Sequence, residues 1–193
     1  MCSAKPDNVS NDVHFIPAKQ GYLRAVAVAD NGINAINATP VASNFFAYIP
    51  KGINILNTLY ALKARYALYA GDYATALAAA NNVDLSAAGK GSLLFNSLVQ
   101  NPIYTLVTST SNIYQVVDST MGLPLAIQPD KADGRIPFYI SRPPVPPGPK
   151  FSISGFWKST TETVPIFLPG EITLIKAECY ARTNRLPEAL IEL

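Results

Sequence analysis

The chain has 193 residues, enough for one domain with a hydrophobic core. Charged residues make up only 15% of it, against about a quarter in an average globular protein, so we expect a polar but mostly uncharged surface. The net charge is +2 and the basic residues form no stripe, which excludes an electrostatic interface for nucleic acid. The apolar runs are all shorter than the ~20 residues that a membrane-spanning helix needs.

The first part of the chain is predicted to be a polar leader followed by a long helix. Residues 1–16 are rich in turn formers, which indicates irregular structure. From Pro17 apolar residues recur at steps of three and four, which predicts a helix that stops at Asn37–Pro40, because a proline disfavours helical geometry in the residue before it.

A helical hairpin is predicted over residues 53–83. Its first helix is expected from Ile53 to Ala70, and a second helix resumes at Tyr73 after the Gly71-Asp72 break. Two helices joined by so short a link must lie antiparallel. Small side chains would let the two backbones approach closely, and alanine also has the highest helix propensity. The alanines stand at positions 61, 64, 67, 70, 74, 76, 78, 79 and 80.

Residues 84–169 are predicted to be an irregular insertion. Short apolar segments at Tyr104–Val107 and Ile113–Val117 resemble strands. The proline-rich stretch from Arg142 to Lys150 excludes a helix and favours extended or polyproline structure. Because long irregular spans inside compact domains are often functional, we expect ligand chemistry here.

A second helix pair is predicted over residues 170–193. One helix is expected from Glu171 to Ala181, and another from Leu186 onward after a turn at 182–185. The sequence ends at Leu193 without a helix cap, so we expect the chain to be a fragment of a longer protein.

The two predicted hairpins match when aligned on their turns. Gly71-Asp72-Tyr73-x-x-Ala76 corresponds to Asn184-Arg185-Leu186-x-x-Ala189, an arrangement that is typical of tetratricopeptide repeats. The two turns begin 113 residues apart instead of the ~34 of a tandem array, so an ordinary solenoid does not explain them.

The same segments resemble the SusD/RagB family of outer-membrane nutrient-binding lipoproteins from Bacteroidetes-type bacteria. Leu62–Leu77 (LKARYALYAGDYATAL) looks like the family's first helix pair. Phe167–Cys179 (FLPGEITLIKAEC) together with Arg185–Leu190 looks like a stretch near the middle of family members. Asp133-Gly134-Arg135 occupies the place of the family's Asp-Pro-Arg turn, with Gly in place of Pro.

The resemblance implies a mainly α fold, an alpha-alpha superhelix of TPR-like helical hairpins. It implies one incomplete SusD-like domain over 17–193, with hairpins at 53–83 and 170–193 and the irregular insertion 84–169. The implied function is non-catalytic binding of a nutrient, in the first place a glycan, at the outer-membrane surface. The implied partner is a SusC-like TonB-dependent transporter, and the full-length parent would be held at the membrane by a lipid anchor.

The residue types present offer no catalytic or metal-binding set, so we expect no enzyme, no cofactor and no metal. His14 is the sole histidine and lacks an orienting partner. Asp130 and Asp133 are more readily explained as turn formers than as an acid–base pair. Arg65 is expected to pair with a carboxylate or to cover apolar surface with its stem.

Aromatic residues of the insertion are the candidate ligand-binding residues. A neutral sugar presents flat C–H faces on which rings stack, with hydroxyls and amides bonding its hydroxyl groups. We name Trp157, Tyr114 and Tyr104 for this role. The alternative for each ring is that it anchors the insertion by packing.

The sequence leaves two alternatives open for the role of Cys2 and two for the function of the protein. Cys2 is either the acceptor of a lipid anchor or an incidental residue, whereas Cys179, in a helical stretch, is expected to be a small buried hydrophobe. The alternative to nutrient binding is a TPR-type scaffold that binds a peptide partner in a helical groove.

Overall fold

The computed structural model is mainly helical, which confirms the mainly α part of the predicted fold class. It describes residues 2–3, 15–39, 41–86, 91–108, 122–141 and 152–193. The chain divides into two compact units, a helical unit made of Met1–Ser92 and Ile166–Leu193 and a loop unit made of Leu93–Pro165.

The helical unit contains six helices and the first short strands among its described residues. The helices are α1 (Ala18–Ala38), α2 (Ser43–Phe46), α3 (Ile55–Ala70), α4 (Tyr73–Ala80), α7 (Pro169–Arg182) and α8 (Leu186–Ile191). Strands β1 (Cys2–Ser3) and β2 (Phe15–Ile16) pair antiparallel, with Cys2 opposite Ile16. The predicted leader thus has its two ends joined by a short ladder.

The loop unit contains short elements only. Its helices are α5 (Pro102–Thr108) and α6 (Arg135–Tyr139), with 3-10 turns at Leu125–Ile127 and Gly155–Trp157. Its strands are β4 (Ile140–Ser141), β5 (Ser152–Ile153) and β6 (Val164–Pro165), while β3 (Ser92–Leu93) lies at the junction of the two units.

The α3–α4 hairpin forms where the sequence predicts it, because both helix ends carry the right residues. Asn54 caps α3 by accepting the Asn57 N–H at 3.0 Å. Gly71 ends the helix at φ +76°, a left-handed conformation that glycine adopts without steric cost. Asp72 then caps α4 by accepting the Thr75 N–H at 3.1 Å.

The core of the helical unit brings together residues far apart in the chain. Helix α4 packs against α7, and α3 contacts both of them. Alanines supply the α3–α4 side of this core, and larger side chains of α7 fill the space that they leave. The shared core contains Ala61, Ala64, Ala67, Ala76, Ala79, Ala80, Phe167, Ile172, Ile175 and Cys179, among others.

The structure corrects the strand prediction for Tyr104–Val107, which lies within helix α5. The cause is the preceding Asn101-Pro102 pair. Asn101 accepts the backbone N–H groups of Ile103 and Tyr104 and so caps the helix, and proline suits the first helical turn. The predicted strand Ile113–Val117 and the proline-rich stretch 142–150 lie outside the described residues.

No helix in the described part of the chain combines the length and apolar character that crossing a membrane requires.

Candidate functional site

A short antiparallel ladder in the loop unit brings two aromatic segments together. Strands β4 and β5 pair with Ile140 opposite Ile153. The ladder continues as a hydrogen bond of 2.8 Å from the Ser154 N–H to the Tyr139 carbonyl. The end of α6 and the 3-10 turn Gly155–Trp157 are therefore neighbours, although the chain between them is long.

Four rings meet at this point, and we call them the aromatic cluster: Phe138, Tyr139, Phe156 and Trp157. Phe138 contacts Tyr139 and Phe156 edge-to-face, with ring centroids 4.8 and 5.3 Å apart. Trp157 lies 6.3 Å from Tyr139 at an interplanar angle of 33° and 6.4 Å from Phe156. These distances are those of favourable aromatic pairs, so the rings hold each other in place.

Gly155 allows the turn to approach α6 so closely. Its φ is +69°, and a Cβ atom there would lie 3.0 Å from Phe138 and 3.1 Å from Tyr139. A side chain at this position would both strain the backbone and push the rings apart.

Asn101 ties the turn that carries Trp157 to the start of α5. It is fully buried. Its amide donates to the carbonyls of Phe156 at 3.2 Å and Glu162 at 3.0 Å, and its side-chain oxygen accepts the two N–H groups at the start of α5. One side chain thereby positions both Trp157 and the helix that holds Tyr104.

The aromatic cluster is partly exposed and has one unpaired polar group. Phe138 is 45% exposed, and the other three rings are half-buried. The indole Nε1 of Trp157 is buried and has no hydrogen-bond acceptor among the described residues. A buried indole N–H usually has a partner, and this donor has none among the described residues.

The charges next to the cluster compensate each other. Lys158 Nζ lies 3.8 Å from the carboxylate of Glu162, which stands four residues further along the chain. Ser159 and Thr160 beside them are half-buried hydroxyl residues. This pair of side chains carries no net charge, which suits an uncharged ligand better than an ion.

Asn101 connects the segments that carry two of the sequence-predicted site residues, Trp157 and Tyr104. Trp157 belongs to the aromatic cluster, where its ring contacts Tyr139 and Phe156, and Tyr104 lies in α5, half-buried, with its N–H 3.2 Å from the Asn101 side chain. Tyr114 and His14 lie outside the described residues. Cys2 contributes its backbone to β1, and its lipid attachment stays a prediction.

Asp130 and Asp133 form turns, as predicted. Asp130 accepts the Ala132 N–H at 2.8 Å, and Asp133 accepts both the N–H and the guanidinium of Arg135. These hydrogen bonds lower the pKa of Asp133 to about 2. A carboxyl group with so low a pKa remains ionised at neutral pH and does not serve as a general acid.

In the helical unit, Arg65 pairs with Glu171 across 106 residues of sequence. Arg65 Nη2 lies 2.7 Å from Glu171 Oε2, Nε contacts Oε1, and Nη2 also donates to the Ile166 carbonyl at 2.8 Å. Hydrogen bonding to Glu171 raises the pKa of Arg65. The bidentate pair fixes the start of α7 against α3 and explains Arg65 as a structural residue.

We expect Arg65→Ala to lower the free energy of unfolding by about 2 kcal/mol, because charge-assisted hydrogen bonds are lost and Glu171 stays partly buried without its partner. Arg65→Lys keeps the charge but not the fork geometry and should recover only part of this loss. The exposed Arg182–Glu178 pair is the control, and Arg182→Ala should cost at most about 0.5 kcal/mol. Urea denaturation of a double-mutant cycle with Glu171→Ala measures the coupling, and a value near zero would contradict this role.

Cys179 is a core residue, as the sequence predicts. It is fully buried, and burial raises the pKa of its thiol to about 11, so the reactive thiolate is scarce at neutral pH. Among the described residues, no group of three or more His, Cys, Asp or Glu side chains is placed to hold a metal ion.

The protein is therefore mainly helical and carries an aromatic cluster in its loop unit. Comparisons with protein-family models, curated proteins and solved structures gave no match to the chain. The SusD/RagB resemblance therefore stays a prediction from the sequence.

Proposed function

We propose that the chain is a non-catalytic nutrient-binding protein of the SusD/RagB type. It captures a neutral glycan at the outer-membrane surface and passes it to a SusC-like TonB-dependent transporter. The observation that carries the proposal is the aromatic cluster around Trp157, which combines stacking surfaces with an unused indole N–H.

The binding chemistry follows from the residues of the cluster. The C–H face of a sugar ring stacks on an aromatic face, and the side chains around the buried Trp157 Nε1 move apart so that a sugar hydroxyl accepts its hydrogen bond. Ser159 and Thr160 follow Trp157 closely in the chain and supply hydroxyl groups, and the neighbouring Lys158–Glu162 pair carries no net charge. Binding is then an equilibrium of stacking and a few hydrogen bonds, without bond chemistry.

The scaffold part of the proposal is that the helix pairs α3–α4 and α7–α8 pack in a TPR-like manner. The two segments that resemble the family fall on these pairs. Two observations support this packing: the helix pairs share an alanine-rich core, and the Arg65–Glu171 pair joins α3 to α7. In this proposal the helical unit is the scaffold and carries the surface that faces the transporter.

We expect Trp157→Ala to weaken binding of a neutral oligosaccharide by about tenfold or more, because it removes one stacking face and one hydrogen-bond donor. Trp157→Phe retains a ring and should lose less. Isothermal titration of the full chain with a panel of neutral and charged oligosaccharides measures both effects.

Tyr48→Ala is the matched control for this titration, since Tyr48 is an 88% exposed ring in the helical unit. It should bind every glycan as the wild type does. Equal affinities of Trp157→Ala and wild type would place the glycan elsewhere and remove the observation on which the proposal stands.

A further inference from the structure

The helical unit has an apolar cleft that the proposed function does not use. The cleft has a volume of about 880 Å³ and lies between the C-terminal half of α1, the short helix α2 and the N-terminal part of α3. Its volume is within the range of small-molecule sites, about 300–1,000 Å³. The apolar side chains that give it its character are Ile36, Val41, Phe45, Phe46, Leu56 and Leu59.

Two of the polar groups along this cleft are already engaged. Asn54 is the one polar side chain among its described lining residues, and its oxygen caps α3 by accepting the Asn57 N–H. The carbonyl of Gly52 accepts the Ser92 N–H at 2.9 Å. A ligand with many hydroxyl groups would leave them unpaired here, which disfavours a sugar.

Helices α1 and α3 approach each other closely at the cleft, yet the cleft still exposes apolar side chains. Gly32 of α1 lies so near α3 that a Cβ atom there would be 3.1 Å from a methyl carbon of Leu59. Phe45 and Phe46 contact each other edge-to-face at 6.0 Å, yet they remain 49% and 52% exposed. Large exposed apolar side chains that line a concavity are typical of a ligand site.

We propose that this cleft binds an unbranched hydrocarbon chain, such as the acyl chain of a fatty acid. The lining residues carry no charge that would fix the flanks of an amphipathic peptide, and Asn54 is the one polar side chain among them that could hydrogen-bond to a ligand. A hydrocarbon chain needs neither, since its binding comes from removal of apolar surface from water. The polar head group remains in solvent at the open side.

The test is a titration of the full chain with cis-parinaric acid, followed by its displacement with decanoate and dodecanoate. Parinaric acid should become fluorescent on binding. Dodecanoate should bind about fifteenfold more tightly than decanoate, because each buried methylene contributes about fourfold. Absence of a fluorescence gain, or equal affinities for the two chain lengths, overturns the proposal.

Two matched variants on α1 locate the site. Ala35 is exposed and lines the cleft, so Ala35→Phe should fill it and weaken dodecanoate binding at least tenfold. Ala27 is exposed on the same helix but is not a lining residue, so Ala27→Phe should bind as the wild type does. Unchanged binding by Ala35→Phe also overturns the proposal.

The result is independent of the glycan proposal. Trp157→Ala should keep full affinity for dodecanoate, because the tryptophan does not line the cleft. If acyl chains do not bind, the proposal of a glycan site is unaffected. If glycans do not bind, the proposal of an acyl-chain site is unaffected.

Discussion

Ala76→Leu is expected to destabilise the helical unit by about 3 kcal/mol, the upper part of the range for overpacked cores. Ala76 is fully buried in α4, which packs against both α3 and α7. Close-packed helices leave no space for a branched four-carbon side chain, so either the helices separate or the side chain takes a strained rotamer. Urea denaturation followed by far-UV circular dichroism measures the loss.

Ala78→Leu is the matched control on the same helix, because Ala78 is exposed. Both substitutions have the same helix propensity change, and a surface change of this kind should stay within about 0.5 kcal/mol. If the two variants unfolded at the same urea concentration, the alanine-lined packing of α3, α4 and α7 would not be the source of stability.

Asn101→Ala is the second substitution with a large expected effect, a loss of about 3 kcal/mol from the stability of the loop unit. It removes four side-chain hydrogen bonds. Buried carbonyls and N–H groups that lose a partner each cost about 1–3 kcal/mol unless water reaches them. The emission of Trp157 should shift as well, because its neighbour Phe156 loses the bond that positions the turn.

Asn96→Ala provides the comparison for this effect. The Asn96 side chain accepts two N–H groups, from Leu98 and Val99, but in an exposed loop where water replaces them. Its loss should be about 1 kcal/mol or less, with no change in tryptophan emission. An Asn101→Ala protein with wild-type stability and emission would show that Asn101 does not organise the site.

The helical hairpins were predictable because local signals fix their ends. Gly71-Asp72 combines a residue suited to a left-handed conformation with a helix cap, and the structure ends α3 and begins α4 there. The predicted end of the second helix at Val83 was three residues too long, since α4 ends at Ala80. Helix ends are less well determined by periodicity than helix existence.

The strand prediction for Tyr104–Val107 was wrong for a reason that the sequence contains. A short run with Tyr, Thr and Val resembles a strand by composition. The Asn101-Pro102 pair in front of it is a helix start, with a capping side chain followed by a residue suited to the first turn. The helix cap formed by Asn101 therefore outweighed the preference of residues 104–107 for a strand.

The candidate site was predictable only in part. Trp157 was identified by its residue type, but Phe138 and Gly155 were missed, since their roles depend on a ladder that closes across residues distant in sequence. For the same reason the sequence left open whether Arg65 pairs with a carboxylate or covers apolar surface, and it did not indicate Glu171, 106 residues away, as its partner. Pairings over such separations carry no local signal.

The central claim, that the aromatic cluster receives a neutral glycan, is tested most directly through Trp157, the one tryptophan of the chain. Its fluorescence is recorded while neutral oligosaccharides are added to the full chain. We expect a saturable change in emission with at least one of them, weakened by Tyr139→Ala. Saturable binding of such a glycan, seen by calorimetry, with an emission that stays constant throughout would contradict it.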